Sequence, residues 1–219
     1  MIYSFMSQTN NIFAPRFNIS DVTIHEKKRV YKQFFAIDDY KVSYKRFDGK
    51  ESPILDREIF ERDKNASVIL PYDPNTDEVC LIEQFRPGAL RDKLSPWLIE
   101  AVAGIIDEGE TPEGAALREL KEEAGISLKK ENLHYCLGQY PSPGGISEYA
   151  SIFIANCDLS HLGNHGGLDS EFEDIRVFKV PFEDAYKQIE TGLVKNAAAI
   201  IALMYLKIHH EEFKNKGIK

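Results

Sequence analysis

Cysteine is scarce in this chain of 219 residues: Cys80, Cys136 and Cys157 are far apart, form no C-x-x-C pair and are odd in number. That excludes a fully paired disulfide framework and suits a reducing compartment. Each lies in an apolar, strand-like run, where cysteine packs as a small hydrophobe. Long apolar runs are also missing. The longest uncharged one, Ala197 to Leu206, falls well short of the roughly 20 residues that a bilayer span requires. The N-terminal MIYSFMSQTN has neither a basic start nor an apolar stretch of about 7–15 residues, so no signal peptide is expected. There is no internal repeat, no low-complexity tract and no basic surplus. Against 35 Asp+Glu stand 27 Lys+Arg, a formal charge of -8, which argues against general affinity for nucleic-acid phosphates or anionic lipid. The expectation is a cytoplasmic protein with neither nucleic acid nor membrane as partner.

What is present suits an ordinary core, with 43% hydrophobic and 28% charged residues. The length fits one domain, or one with a small companion, at roughly 100–200 residues per domain. The acidity is local. Asp107 to Glu123 carries seven acids and two bases, and Asp169 to Asp174 carries four acids and no base; without them 24 acids face 25 bases.

Alternating and β-branched stretches predict strands at Val22–Ile24, Gln33–Tyr44 and Ile54–Phe60, with a turn at Phe47–Lys50. A second group is predicted at Ala66–Tyr72, Val79–Phe85, Leu98–Ala103, Leu133–Tyr140, Ala150–Asn156 and Ile175–Val180. Helices are predicted at Pro112–Ala124, with Thr111 as N-cap and Gly125 past the end, at Phe182–Glu190, and at Ala197–Phe213. On the last, Ile200, Leu203, Met204 and Ile208 form a packing stripe. Strands mixed with helices, without regular βαβ alternation, predict an α/β sandwich with a mixed sheet.

Glu119, Glu122 and Glu123 share one helix face at i, i+3 and i+4 spacing. Such a face is either solvated or a hard oxygen site for Mg²⁺ or Mn²⁺, and the acidic loop Ile105–Glu110 entering the helix favours the second. Gly104 to Ile126 reads GIIDEGETPEGAALRELKEEAGI, which resembles the Nudix box at every defined position: Gly104, Glu110, Arg118, Glu119, Leu120, Glu122, Glu123, Gly125 and Ile126. The resemblance implies a Nudix α/β/α sandwich and hydrolysis of a nucleoside diphosphate linked to another group. It also implies that Glu119, Glu123 and the Ala103 carbonyl ligate Mg²⁺ (or Mn²⁺), with Glu122 beside them in the catalytic set. Gly104 and the pair Glu110 and Arg118 would be structural.

From about Arg29 to His210 the chain is similar to the bacterial ADP-ribose pyrophosphatase subfamily. Arg57–Arg62, Leu81–Arg86, Pro96–Glu100 and Ser142–Glu148 carry the likeness, together with a proline beyond the box, Pro143 or Pro141. The Pro-Gly-Gly turn has a plain reading as chain reversal and another as a backbone cradle for phosphate or ribose oxygens. The stretch from Gly167 to Arg176 is similar to the subfamily loop that brings in the catalytic base: Glu171 takes that position, and Glu173 that of a further metal-side carboxylate. Phe34 would stack on adenine, although the same residue reads as strand core. Arg57 and Arg86 would contact the ligand, with Ser142 and Glu148 near the terminal ribose or phosphates. Asp56 is a departure: a member of the subfamily has two consecutive basic residues at the positions of Asp56 and Arg57, which puts part of the nucleoside contact in question.

The division that follows is 1–62, a β region for dimerisation and nucleoside contacts, and 63–219, the Nudix hydrolase domain. The polar N-terminal strands suit a homodimer with composite sites. Expected is Mg²⁺-dependent hydrolysis of ADP-ribose to AMP and ribose 5-phosphate. Alternatives are another nucleotide sugar such as GDP-mannose, or a non-catalytic ADP-ribose-binding regulator; all four box glutamates argue against the latter. His161 and His165 read as loop residues, and His209-His210 as a solvated helix end.

Overall fold

The computed structural model describes residues 12–168, Ser170 and 172–219. The contacts of the chain separate two units, with the division between Glu61 and Arg62.

In the N-terminal unit β1 (Val22–Lys32), β2 (Ala36–Tyr44) and β3 (Leu55–Glu61) form an antiparallel sheet in that order. Of β1, the sequence alone predicts only Val22–Ile24 as strand. The charged remainder up to Lys32 becomes strand because it pairs along β2, with register shifts after Ile24 and Arg29. Asp38, wholly buried on β2, receives Arg29 Nε at 2.7 Å and Nη2 at 3.0 Å, with Lys27 Nζ at 3.1 Å. These bonds hold its carboxyl down at about 2. The predicted strand start at Gln33 is corrected: Gln33 to Phe35 form the hairpin turn, closed by Gln33 N–H donating to Phe35 O at 2.8 Å. Phe34 is therefore not strand core but a turn residue, 76% exposed, its ring edge-on to Phe35.

The second unit is built on a mixed sheet of β4 (Ala66–Asp73), β5 (Glu78–Phe85), β6 (Trp97–Glu100), β7 (Val102–Ile105), β8 (Leu133–Gln139), β9 (Ala150–Asn156), β10 (His165–Gly166) and β11 (Ile175–Pro181). The order is β10-β11-β5-β4-β9-β8; β4 and β9 run parallel and the other pairs antiparallel. Strands β4 and β5 pair only near their connection, at Tyr72–Val79 and Asp73–Glu78, and then diverge. Into the split come β6, paired to β5, and β7, paired to β4. The single predicted strand Leu98–Ala103 is thus two strands broken at Ala101, because its halves bond to different partners.

On one face Ile69, Ile82, Val102 and Phe153 pack on Ala116 and Leu120 of α1 (Pro112–Ala124). On the other, Leu70, Leu81 and Ile152 pack on α2 (Phe182–Thr191), α3 (Ala197–Ile208) and α4 (His210–Lys216). Three layers result, an α/β/α sandwich. The long C-terminal helix is corrected to two helices broken at His209. Their buried side chains are Ala199, Ala202, Leu203, Leu206 and Phe213, whereas Met204 and Ile208 of the expected stripe are 45% and 77% exposed. Cys80 and Cys157 are buried and Cys136 partly so; all three are free thiols, pushed up to about 12 by burial. No described helix is long and apolar enough to cross a membrane.

The stretch Ser160–Asp174 contains the short β10, which lies against the end of α1: Gly167 N–H donates to Glu122 O at 3.1 Å. A Cβ on Gly166 would stand 1.8 Å from the carbonyl oxygen of Glu123, a backbone clash that no rotamer relieves. Gly166→Ala is therefore expected to cost about 1–3 kcal/mol, the range for overpacking. Urea denaturation checks it; an unchanged midpoint would mean that β10 does not pack on α1 in this way.

Candidate active site

Helix α1 begins where Thr111 Oγ1 accepts the Gly114 N–H at 3.1 Å and Pro112 supplies a preset φ. It ends at Gly125, whose φ of 69° places it in the left-handed region. The limits are those predicted from sequence. Alanines 115, 116 and 124 on its buried face let it approach the sheet closely, and this brings Glu119 over β7. A Cβ on Gly104 would stand 1.8 Å from Glu119 Oε1, so glycine leaves room for the carboxylate.

Arg118 organises the acids around it. Its Nε donates to Glu110 Oε1 at 3.1 Å, and Nη2 donates to Glu110 Oε2 at 3.0 Å and to the Ile105 carbonyl at 2.8 Å. Its Nη1 donates to Glu119 Oε1 at 2.6 Å and Glu122 Oε2 at 3.0 Å. These bonds match in number the N–H donors of a guanidinium. The loop is closed further by Asp107 N–H donating to Glu110 Oε2 at 3.1 Å. Arg118 holds the Glu110 carboxyl below its usual range, and Glu110 in turn heads the contacts that raise Arg118.

One cation does not balance this many carboxylates. Burial lifts Glu119 above its ordinary value despite Arg118. Glu123 is 3% exposed, and its Oε2 accepts the Ala103 N–H at 2.9 Å. Burial pushes it up to about 8, helped by the nearby charges of Glu119 and Glu173 and opposed by that hydrogen bond and by Arg86. Among the described residues no three His, Cys, Asp or Glu side chains stand in a metal-ligating arrangement. Arg118 draws Glu119 and Glu122 to itself, while Glu123 lies on the Ala103 amide. The donors nonetheless fit a hard divalent cation: buried carboxylate oxygens in charge excess, beside a strand carbonyl at Ala103.

The other expected residues are spread more widely. Arg86, just after β5, lies close enough for its charge to act on Glu123 and to be raised by Glu173. The half-buried Glu173 accepts the Leu168 N–H at 3.3 Å across its own loop. Glu171 lies outside the described residues. Ser142 and Glu148 occupy the β8–β9 connection, at the sheet end where β4 begins and β7 finishes. There the Ser142 carbonyl accepts the Gly145 and Ile146 amides at 3.1 and 2.9 Å, so the Pro-Gly-Gly segment is a chain reversal, and Glu148 pairs with Arg62 at 3.0 Å. Phe34 and Arg57 belong to the N-terminal unit; Arg57, exposed on β3, donates to the Asp56 carbonyl at 2.8 Å. Two residues escaped the sequence reading: Glu100, 2% exposed and bonded to Arg86, and Asn196, whose amide donates to Glu100. A lone charge within Trp97–Ala103 was the available signal for Glu100; for Asn196 it was only a capping-type residue ahead of the run from Ala197.

The raised Glu123 carboxyl makes the metal-free fold pH-dependent. Between the unfolded value of about 4.5 and the folded value of about 8 the folded state holds the extra proton, so stability falls as pH rises through that window. In EDTA, Glu123→Gln is therefore expected to gain in melting temperature on wild type from pH 5 to pH 9. A difference constant across that range would show that Glu123 is not protonated in the fold.

A NUDIX domain matches residues 61–203. The ADP-ribose pyrophosphatase of Escherichia coli K12 is 44% identical over 200 residues, 91% of this chain and 94% of that one. The GDP-mannose pyrophosphatase of Escherichia coli O1:K1 is 33% identical over 190 residues, 86% of this chain and 96% of that one. A crystal structure described as an ADP compounds hydrolase superposes with a TM-score of 0.67 at 22% identity, covering 90% of this chain and 96% of that one, and supports the fold. The box around Arg118, the three-layer sandwich and these likenesses agree: the chain belongs to the Nudix family.

Proposed function

We propose that the protein is an ADP-ribose pyrophosphatase that cleaves ADP-ribose to AMP and ribose 5-phosphate with Mg²⁺, or Mn²⁺ in its place. The observation that carries the reading is the box folded intact, with Glu119 and Glu123 buried in charge excess above β7. The 44% identity to a relative named for that activity gives the substrate. Glu119, Glu123 and the Ala103 carbonyl would hold the metal, with Glu122 beside them and Glu173 adding a carboxylate from its loop. A divalent cation bound there would neutralise the pyrophosphate and favour displacement by water. Arg86 supplies a fixed positive charge for the anionic substrate. Glu171 removes the proton from the attacking water; support for this role is its place in the sequence. Ser142 and Glu148 serve the terminal ribose or phosphates.

The N-terminal unit is proposed to dimerise and to contact the nucleoside through Phe34 and Arg57. Every residue of β1 is exposed in the single chain, including Ile24, Val30 and Tyr31, each about half exposed, which is surface for a partner subunit to cover. Three free thiols suit a cytoplasmic location. Asp56, paired in register with Lys41, stands where a second basic residue was expected, and nucleoside selection is the property it would alter. A second substrate is favoured by one finding, the relative named GDP-mannose pyrophosphatase.

Turnover of ADP-ribose, GDP-mannose, NADH and a diadenosine polyphosphate, measured side by side by phosphate release with a coupling phosphatase and Mg²⁺, decides between them. ADP-ribose is expected to rank first; another order would remove the substrate assignment and keep the family. Glu171→Gln is expected to lower kcat by about 10²–10⁴ while Mn²⁺ affinity is retained, the range for loss of a general base. A variant at full rate would place the base elsewhere.

A further inference from the structure

Arg86 is not left to find its own position. Its Nε and Nη2 donate to Glu100 Oε2 at 3.0 and 2.7 Å, and the other oxygen of Glu100, Oε1, accepts Asn196 Nδ2 at 3.0 Å. Asn196 is in turn the N-cap of α3, where its Oδ1 accepts the Ala199 N–H at 3.0 Å. A second tie, Lys195 Nζ to Asp92 Oδ2 at 2.6 Å, joins the residue before Asn196 to the loop between β5 and β6. The series runs from a helix on one side of the sheet, through a carboxylate 2% exposed in the split between β4 and β5, to a guanidinium whose charge reaches Glu123 and Glu173.

Both oxygens of Glu100 are engaged by side-chain donors. A buried carboxylate is costly unless paired, and here it is paired to a side chain 40% exposed on the side of the acids. Burial works against the charge on Arg86, and the bonds to Glu100 more than restore it. Arg86 Nη1 has no hydrogen-bond partner among the described residues. A guanidinium fixed at Nε and Nη2 keeps its remaining N–H groups at one angle, and such groups bind phosphate oxygens best when preorganised.

We infer that Glu100 and Asn196 are positioning residues for the pyrophosphatase site: they hold Arg86 so that its free N–H groups meet the diphosphate of the substrate. This rests on the function proposed above. Neither residue touches the substrate, and both act through Arg86.

Three variants and their combinations test it. Glu100→Gln keeps the shape and removes the charge. Asn196→Asp keeps an N-cap acceptor for Ala199 but replaces the amide donor facing Glu100 with a carboxylate. Arg86→Ala removes the group through which both are held to act. Affinity for ADP-ribose is read by calorimetry in EDTA, where no turnover occurs, and KM and kcat are read with Mg²⁺. Glu100→Gln and Asn196→Asp are each expected to weaken binding and raise KM about tenfold, the effect of losing a charged hydrogen bond, with kcat changed less. In the Arg86→Ala background neither is expected to weaken binding further. Equal losses with and without Arg86 overturn the inference, since they mark a role in the fold alone. A second readout needs no substrate: the Arg86 Nε–H resonance, assigned by its loss in Arg86→Ala, is expected to exchange slowly in wild type and rapidly in Glu100→Gln. An unchanged exchange rate overturns the inference. Wild type that neither binds nor cleaves ADP-ribose overturns the function instead, and the Nε–H exchange then decides the positioning alone.

Discussion

A single guanidinium holds the site together. Arg118 engages Glu110, Glu119, Glu122 and the Ile105 carbonyl, and so joins the loop, the helix and the end of β7 in one set of hydrogen bonds. A lysine has three donors and no planar fork, and cannot span the same partners. The constraint is also electrostatic. With one positive charge among several carboxylates, the most buried of them, Glu123, retains its proton near neutrality unless another cation arrives. The vacancy in charge balance is what suits the helix to a divalent ion.

The sheet supplies the place for that helix. Divergence of β4 from β5 opens a split that β6 and β7 fill, and the chain crosses it at Ala101. Glu100 and Ala103 flank the crossing. One lies two per cent exposed beneath Arg86, and the other offers its amide to Glu123. Gly104 then leaves space for Glu119, and β10 lies against the last turn of α1, so the acidic loop begins beside the acidic helix. Glu173, distant in sequence, is thereby brought near the acidic helix, and its charge acts on Glu119 and Glu123.

Helix α1 was legible to the residue, because its cap, proline and terminal glycine are local signals and its charges follow helical spacing. The three-layer class was legible for a similar reason, since most strands of the second unit are short apolar or β-branched runs bounded by turn residues. The break at Ala101 was not, since Leu98 to Ala103 reads as one strand and only the choice of two different neighbours divides it. Charged β1 was missed beyond Ile24, because its pairing with β2 decides its conformation. Phe34 appeared as strand because aromatic residues favour strands, whereas the hairpin needed a turn there. The tie between Glu100 and Asn196 spans 96 positions, and no local pattern announces a contact of that separation. Glu171 rests on its position in a recognisable loop, outside the described residues.

Anomalous diffraction from crystals soaked in Mn²⁺ addresses the charge-balance argument most directly. The expected result is a peak bounded by the Glu119 and Glu123 carboxylates and the Ala103 carbonyl, with Arg118 still bonded to Glu110. A peak confined to the Asp107–Glu110 loop, or none near α1, would refute it.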